Sequence, residues 1–92
     1  MLKNISVKNL DLSKNIIDIR SKEKYNTSHI PNSKKVDMYE LLLNLNKYLS
    51  NKEIYYIYCQ YGKTSVKICI ALSKKGYNVV NIIGGYESWL LK

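Results

Sequence analysis

Short apolar runs alternate with segments of helical periodicity along this chain. Three of the runs, at residues 16–19, 54–59 and 79–83, are rich in β-branched or aromatic residues. Runs of this length and composition predict buried strands. Two weaker candidates are an edge strand at 4–6 and a further short strand at 35–36. The pattern therefore predicts about five strands.

Helical periodicity fills the spaces between these strands. Residues 38–49 predict one continuous helix, because their apolar side chains recur on one face: Met38, Leu41, Leu42, Leu45, Tyr48 and Leu49. Asp37 and Glu40 form a capping-box-like start to it. Residues 64–75 predict a second helix that ends at Gly76, and residues 86–90 a short third helix. Strands separated by helices predict an α/β fold with a small open parallel sheet and helices on both faces.

Length and composition limit the chain to one small domain. It has 92 residues, of which 46% are hydrophobic, so we expect a single domain over 1–92 with one core. Cys59 and Cys69 have no partners at spacings typical of zinc sites or disulfide frameworks. No apolar signal segment or membrane-length run occurs in the sequence. We therefore expect a soluble, cytoplasmic protein with reduced thiols, no metal and no organic cofactor.

The formal net charge of +8 raises the question of nucleic-acid binding. The lysines are scattered, however, and only Lys34-Lys35 and Lys74-Lys75 are adjacent pairs. A compositional bias toward Lys, Asn, Ile and Tyr explains the charge more simply. We therefore expect neither nucleic acid nor a membrane as partner, while the positive field attracts a small anionic substrate.

The strand at 54–59 ends in Cys59, and a polar loop then opens directly into the helix at 64–75. Ligands of open α/β sheets collect at the carboxyl ends of strands, where helix N-termini present unpaired N–H groups. Such a loop can curl its N–H groups into a nest around a sulfur, and Lys63 adds a cation. These features predict a partly ionised nucleophile at Cys59. The residues expected to bind substrate around it are Gln60, Tyr61, Gly62, Lys63, Thr64 and Ser65.

Three segments together resemble the single-domain rhodaneses over nearly the whole chain. The first is Asp18-Ile19-Arg20 with Glu23, Tyr25 and Ser28-His29-Ile30-Pro31-Asn32-Ser33. The second is Tyr58-Cys59-Gln60-Tyr61-Gly62-Lys63-Thr64-Ser65, which is similar to the family's catalytic loop. The third is Gly84-Gly85-Tyr86-Glu87-Ser88-Trp89. Departures occur at Gln60, where many members have arginine, and at Ser28, Asn32 and Ser33.

The resemblance implies a sulfurtransferase that carries sulfane sulfur as a persulfide on Cys59. A small anionic donor such as thiosulfate would supply the sulfur, and a low-molecular-weight or protein thiol, or cyanide, would accept it. No cofactor is required by this chemistry. Asp18 and Arg20 lie near the carboxyl end of the second strand, and we expect them to support neighbouring loops rather than react.

Two other functions remain open from the sequence. A rhodanese-fold interaction module would bind partners without catalysis. A phosphatase or arsenate reductase would need an arginine six positions after the cysteine, where Ser65 stands. Cys69 lies among apolar residues of a helix and is expected to be a core residue, with a redox role against Cys59 as the alternative. His29 is expected to stabilise a turn.

Overall fold

A five-stranded parallel sheet forms the centre of the structure, a computed structural model that describes residues 2–92. The strands lie in the order β1-β5-β4-β2-β3, and every neighbouring pair is parallel. Their bounds are Asn4–Ile5 (β1), Asn15–Asp18 (β2), Ser33–Lys35 (β3), Ile54–Tyr58 (β4) and Asn78–Ile82 (β5). The α/β fold and the parallel sheet predicted from the sequence are confirmed.

Five α-helices pack with these strands, four of them between strands and the last after β5: Lys22–Thr27 (α1), Met38–Leu43 (α2), Leu45–Tyr48 (α3), Lys63–Lys74 (α4) and Gly85–Leu91 (α5). A short 3₁₀ helix, Val7–Asn9, follows β1. The sequence did not predict α1, because none of its residues is buried and it therefore lacks an apolar stripe. Within residues 2–92, no helix combines the length and apolar character needed to cross a membrane.

The prediction of one continuous helix over 38–49 is wrong at Asn44. This residue has φ −136° and ψ 56°, outside the helical region, and it separates α2 from α3. Its side-chain amide donates to the backbone oxygen of Glu40 at 3.3 Å and to the Glu40 carboxylate at 3.1 Å. Asparagine competes with the helical backbone in this way. The expected start is confirmed, since the Asp37 carboxylate accepts the N–H groups of Tyr39 and Glu40.

Side chains of the strands alternate between two apolar clusters, one on each face of the sheet. Ile17 and Ile57 pack in the cluster that α2, α3 and α4 cover, whereas Ile16 and Tyr58 pack in the other, with Tyr86 of α5. This alternation is the period of two that a strand imposes. Because all strands are parallel, the loops that follow β2, β4 and β5 meet at one edge of the sheet.

Candidate active site

The loop after β4 wraps backbone amides around the sulfur of Cys59. The Sγ atom accepts hydrogen bonds from the N–H of Gly62 at 3.1 Å and from the N–H of Ser65 at 3.3 Å. Gly62 has φ 89°, a left-handed conformation that glycine adopts without strain. The Cys59 residue is only 7% exposed. The sulfur therefore lies in a concave cradle of main-chain donors at the start of α4.

These donors change the acidity of the thiol. Burial alone would raise the pKa of Cys59, but hydrogen bonding with the Ser65 side chain and with the N–H groups of Ser65, Gly62 and Thr64 opposes this effect. Their combined effect leaves the pKa of Cys59 below its ordinary value. Hydrogen bonds to the charged form favour ionisation in this way. The thiolate, which is the nucleophilic form, is therefore more populated than in a free cysteine.

The back of this cradle is held by the first turn of α5. The N–H of Tyr86 donates to the carbonyl of Cys59, and the N–H of Glu87 donates to the carbonyl of Gln60, both at 2.9 Å. Gly85 permits this approach, because a Cβ there would overlap the Cys59 oxygen and lie 2.9 Å from the Gln60 oxygen. With its carbonyls bound to α5, the loop keeps its N–H groups free to face the sulfur.

Asp18 and Arg20 form a buried ion pair beside the loop. The Arg20 Nη2 atom lies 2.8 Å from the Asp18 Oδ2 atom and also donates to the carbonyl of Ser28 at 2.7 Å. Its Nη1 atom donates to the Gln60 Oε1 atom at 3.2 Å. The pair therefore connects the end of β2 to Gln60, the residue next to Cys59, and supports the loop from that side.

Tyr58, the last residue of β4, joins this network, a role that the sequence did not predict. Its hydroxyl donates to Asp18 at 2.6 Å, accepts the N–H of Ile30 at 3.1 Å and lies 3.0 Å from the Ser33 hydroxyl. Burial and the bond to Asp18 raise the pKa of Tyr58, so its hydroxyl stays protonated. A tyrosine that ends an apolar strand just before the cysteine was the available sequence signal.

A cavity of about 360 Å³ opens beside the loop. Tyr61 is 63% exposed and lines it, so this side chain both faces solvent and forms a wall. Lys63 and Thr64 are exposed in the first turn of α4. The lining residues are Arg20, Glu23, Lys24, Thr27, Ser28, Gln60, Tyr61 and Tyr86. The cavity is large enough to admit a small molecule from the side of Gln60.

Ser65 faces inward, and its partner was not identified from the sequence. The residue is fully buried, and its Oγ atom donates to the Oδ1 atom of Asn81 at 2.6 Å. Asn81 belongs to β5 and donates in turn to Asn4 at 3.0 Å. The available sequence signal for this contact was the single asparagine inside the apolar run 79–83. Ser65 thus links Cys59 to the interior of the fold.

The second cysteine is part of the core. Cys69 is fully buried on α4, and both cysteines are free thiols. Burial raises the pKa of Cys69 to about 12, and the nearby charge of Cys59 acts in the same direction. His29 stabilises its turn, since its Nδ1 atom lies 2.8 Å from the carbonyl of Tyr25. No metal-binding group of three or more His, Cys, Asp or Glu side chains is found within residues 2–92.

Sequence comparisons identify relatives over most of the chain. The model of the rhodanese-like domain family matches residues 2–92. The putative sulfur carrier protein YrkF of Bacillus subtilis is 34% identical over 80 residues, which make up 86% of this chain and 43% of YrkF. The thiosulfate sulfurtransferase GlpE of Coxiella burnetii is 31% identical over 75 residues, 80% of this chain and 69% of GlpE. The chain thus spans less than half of YrkF.

Solved structures share the whole fold. The rhodanese-like domain protein from Staphylococcus aureus has a TM-score of 0.81 and 31% identity, with 96% of this chain and 91% of that chain covered. A rhodanese-related protein from Thermoplasma volcanium has a TM-score of 0.87 and 26% identity, with 97% and 91% covered. The family match, the common fold and the loop around Cys59 agree: the chain belongs to the rhodanese-like domain family.

Proposed function

We propose that this chain is a sulfurtransferase that takes a sulfane sulfur atom onto Cys59 and passes it to a thiol or to cyanide. One observation carries the proposal: the Cys59 Sγ atom accepts the N–H groups of Gly62 and Ser65 at 3.1 and 3.3 Å. This cradle favours a thiolate without a general base. The relatives named a thiosulfate sulfurtransferase and a putative sulfur carrier protein support the same class of chemistry.

Loading begins with attack by the thiolate. With thiosulfate as donor, the Cys59 sulfur forms a bond to the outer sulfur, and the sulfur–sulfur bond of thiosulfate breaks. The electron pair of that bond leaves with sulfite, and Cys59 is left as a persulfide anion. No proton is transferred and no external oxidant is used. The amides of the loop stabilise the negative charge as it moves from Sγ to the new terminal sulfur.

In the second half-reaction, Cys59 is the leaving group and the acceptor is the nucleophile. Cyanide or a thiolate attacks the terminal sulfur of the persulfide and takes it as thiocyanate or as a new persulfide. The electron pair of the broken bond returns to Cys59, which is again a thiolate in its cradle. Because the thiolate is both nucleophile and leaving group, a single lowered pKa serves both half-reactions.

The donor enters from the cavity beside Gln60 in this proposal. Gln60 is neutral, and its amide is held between Arg20 at 3.2 Å and Glu87 at 3.2 Å. Lys24 lines this cavity, and Lys63 is exposed in the first turn of α4. The charge that attracts an anionic donor therefore comes from flexible lysines rather than from a fixed guanidinium at position 60.

Neither phosphoryl transfer nor a non-catalytic interaction module has a comparable observation in its favour. Phosphoryl transfer needs a cation fixed over the loop, whereas Ser65 occupies the sixth position after the cysteine and turns its hydroxyl inward to Asn81. An interaction module without catalysis has no use for a thiol whose pKa is lowered by a ring of amides. The geometry therefore favours sulfur transfer.

Mass spectrometry of the intact protein tests the proposal directly. After incubation with thiosulfate, we expect the mass to increase by one sulfur atom and to return to its original value after cyanide is added, with formation of thiocyanate. Cys59→Ser should abolish both changes, while the matched variant Cys69→Ala should retain them. A wild-type protein that gains no sulfur from thiosulfate, glutathione persulfide or polysulfide would refute sulfur transfer. Hydrolysis of para-nitrophenyl phosphate would instead support the phosphatase alternative.

A further inference from the structure

A line of polar side chains runs from the cysteine sulfur through the interior to the edge of the sheet. The Cys59 thiol donates to the Ser65 Oγ atom at 3.4 Å, and Ser65 donates to the Asn81 Oδ1 atom at 2.6 Å. The Asn81 amide then donates to the Asn4 Oδ1 atom at 3.0 Å. Ser65 and Asn81 are 0% and 2% exposed, whereas Asn4 on β1 is exposed. The line therefore connects a buried thiol to a surface amide.

This direction of the Ser65 hydroxyl suits the neutral thiol of Cys59 but not the thiolate that the backbone amides favour. A hydroxyl has one proton to donate, and Ser65 donates it to Asn81, so its oxygen can only accept from Cys59. Once the thiol proton is lost, lone pairs of the Ser65 oxygen would face a negative sulfur. The hydroxyl must turn toward the sulfur to stabilise it, but the buried Asn81 oxygen then loses its donor.

Rotation of the Asn81 amide resolves this conflict. A carboxamide carries an acceptor at one end and a donor at the other, so a half-turn would present its NH₂ group to the Ser65 oxygen. The Asn81 oxygen would then face Asn4, which is exposed and can rotate its own amide to donate. After both rotations every buried group again has a partner, and the Ser65 proton points at the sulfur.

We propose that Asn81 and Asn4 are positioning residues that set the direction of the Ser65 hydroxyl and thereby select between the thiol and the thiolate of Cys59. The inference rests on the proposed function only in assigning Cys59 a role as a thiolate. Neither asparagine touches the sulfur, and both act through Ser65. Their contribution is therefore to the equilibrium between the two forms of Cys59 rather than to contact with donor or acceptor.

Other charged groups near the loop do not provide this control. Burial raises the pKa of Cys69, on α4, to about 12, so this thiol remains neutral. The Arg20 guanidinium next to Gln60 is neutralised by Asp18 at 2.8 Å. Lys63 and Glu87 are exposed to solvent, which screens their charges.

Two substitutions should shift the titration of Cys59 in opposite directions. In Asn4→Asp the carboxylate only accepts, so it holds the Asn81 NH₂ group outward and keeps the Ser65 proton on Asn81. The titration midpoint of Cys59 should then rise by about one pH unit. Asn81→Leu removes the competing acceptor and frees the hydroxyl for the sulfur, so the midpoint should fall. The readout is the ultraviolet absorbance of the thiolate, with Cys59→Ser as blank.

The control for added charge is Asn9→Asp, the same substitution at another exposed position near β1. It should leave the midpoint unchanged. In a Ser65→Ala background, Asn4→Asp should lose its effect, because the hydroxyl through which it acts is gone. Because Asn4 is exposed, this part of the test holds even if Asn81→Leu fails to fold.

The proposal is overturned if Asn4→Asp shifts the midpoint no more than Asn9→Asp does, or if its shift persists in the Ser65→Ala background. Shifts of the same sign in Asn4→Asp and Asn81→Leu would equally overturn it, since that result indicates a general loss of structure. The titration needs no sulfur donor. A protein with the expected titrations that never gains sulfur would therefore refute the proposed function and leave this inference standing.

Discussion

Gly85→Ala should damage both stability and sulfur loading, although Gly85 is not part of the cysteine loop. Gly85 has φ 60°, and an added Cβ would overlap the Cys59 oxygen and lie 2.9 Å from the Gln60 oxygen. A left-handed alanine costs about 1–2 kcal/mol. Overpacking against backbone that cannot move freely adds about 1–3 kcal/mol. We therefore expect the free energy of unfolding to fall by about 2–5 kcal/mol.

Gly76→Ala is the matched control. Gly76 has φ 91°, but a Cβ there would have nothing within 4 Å. It should therefore show the conformational strain alone, about 1–2 kcal/mol. Urea denaturation of the two variants isolates the contribution of the contact between α5 and the Cys59 loop.

Sulfur loading provides the second measurement for the same pair of variants. Displacing the Cys59 carbonyl moves the amides away from the sulfur, and misplacement of this kind lowers a rate by about 100-fold. Gly76→Ala should load at the wild-type rate, because Gly76 follows the far end of α4. Equal losses of stability in both variants, with unchanged loading in Gly85→Ala, would refute the argument that α5 holds the cradle in place.

Three further predictions concern the buried polar groups. The pKa of Cys69 is raised to about 12 in the folded protein, so this thiol stabilises the fold below its unfolded pKa, and the stabilisation is lost as the pH rises. In urea denaturation, the free energy of unfolding of the wild type should therefore fall by about 2 kcal/mol between pH 8 and 10 relative to that of Cys69→Ala. Asp18→Ala leaves the Arg20 charge buried without its partner and should cost about 3–5 kcal/mol in the same assay, and a loss below about 1 kcal/mol would contradict a buried pair. Tyr58→Phe removes the acceptor of the Ile30 N–H and should cost about 1–3 kcal/mol, whereas unchanged stability would show that this bond contributes nothing.

The strands and the long helices were predictable because their signals are local. Runs of β-branched residues placed β2, β4 and β5 to within one or two residues, and the Asp37 carboxylate fixed the start of α2. Reliance on local signals also explains the two errors. Residues 22–27 form α1 without burying a side chain, so no apolar period revealed it. Apolar periodicity continued through Asn44, whose side chain nevertheless ends α2.

The order of elements around Cys59 was enough to expect an anion-stabilising loop. A strand that ends in a cysteine and passes through a glycine-containing loop into a helix brings unpaired N–H groups to the sulfur. This arrangement depends on residues no more than six positions apart, as the bond from the Ser65 N–H to Cys59 shows. Proximity along the chain therefore made the cradle accessible to inference.

Sequence alone thus predicted the α/β class and the position of the candidate nucleophile, Cys59, whereas folding in three dimensions decided what surrounds it. The partners of Ser65 and of Gln60, namely Asn81 and Arg20, lie 16 and 40 residues away along the chain. Periodicity and capping describe neighbours within a few positions and contain no information about which strands become adjacent. The side chains that contact the Cys59 loop from outside it were therefore defined only when β5 and β2 packed on either side of β4.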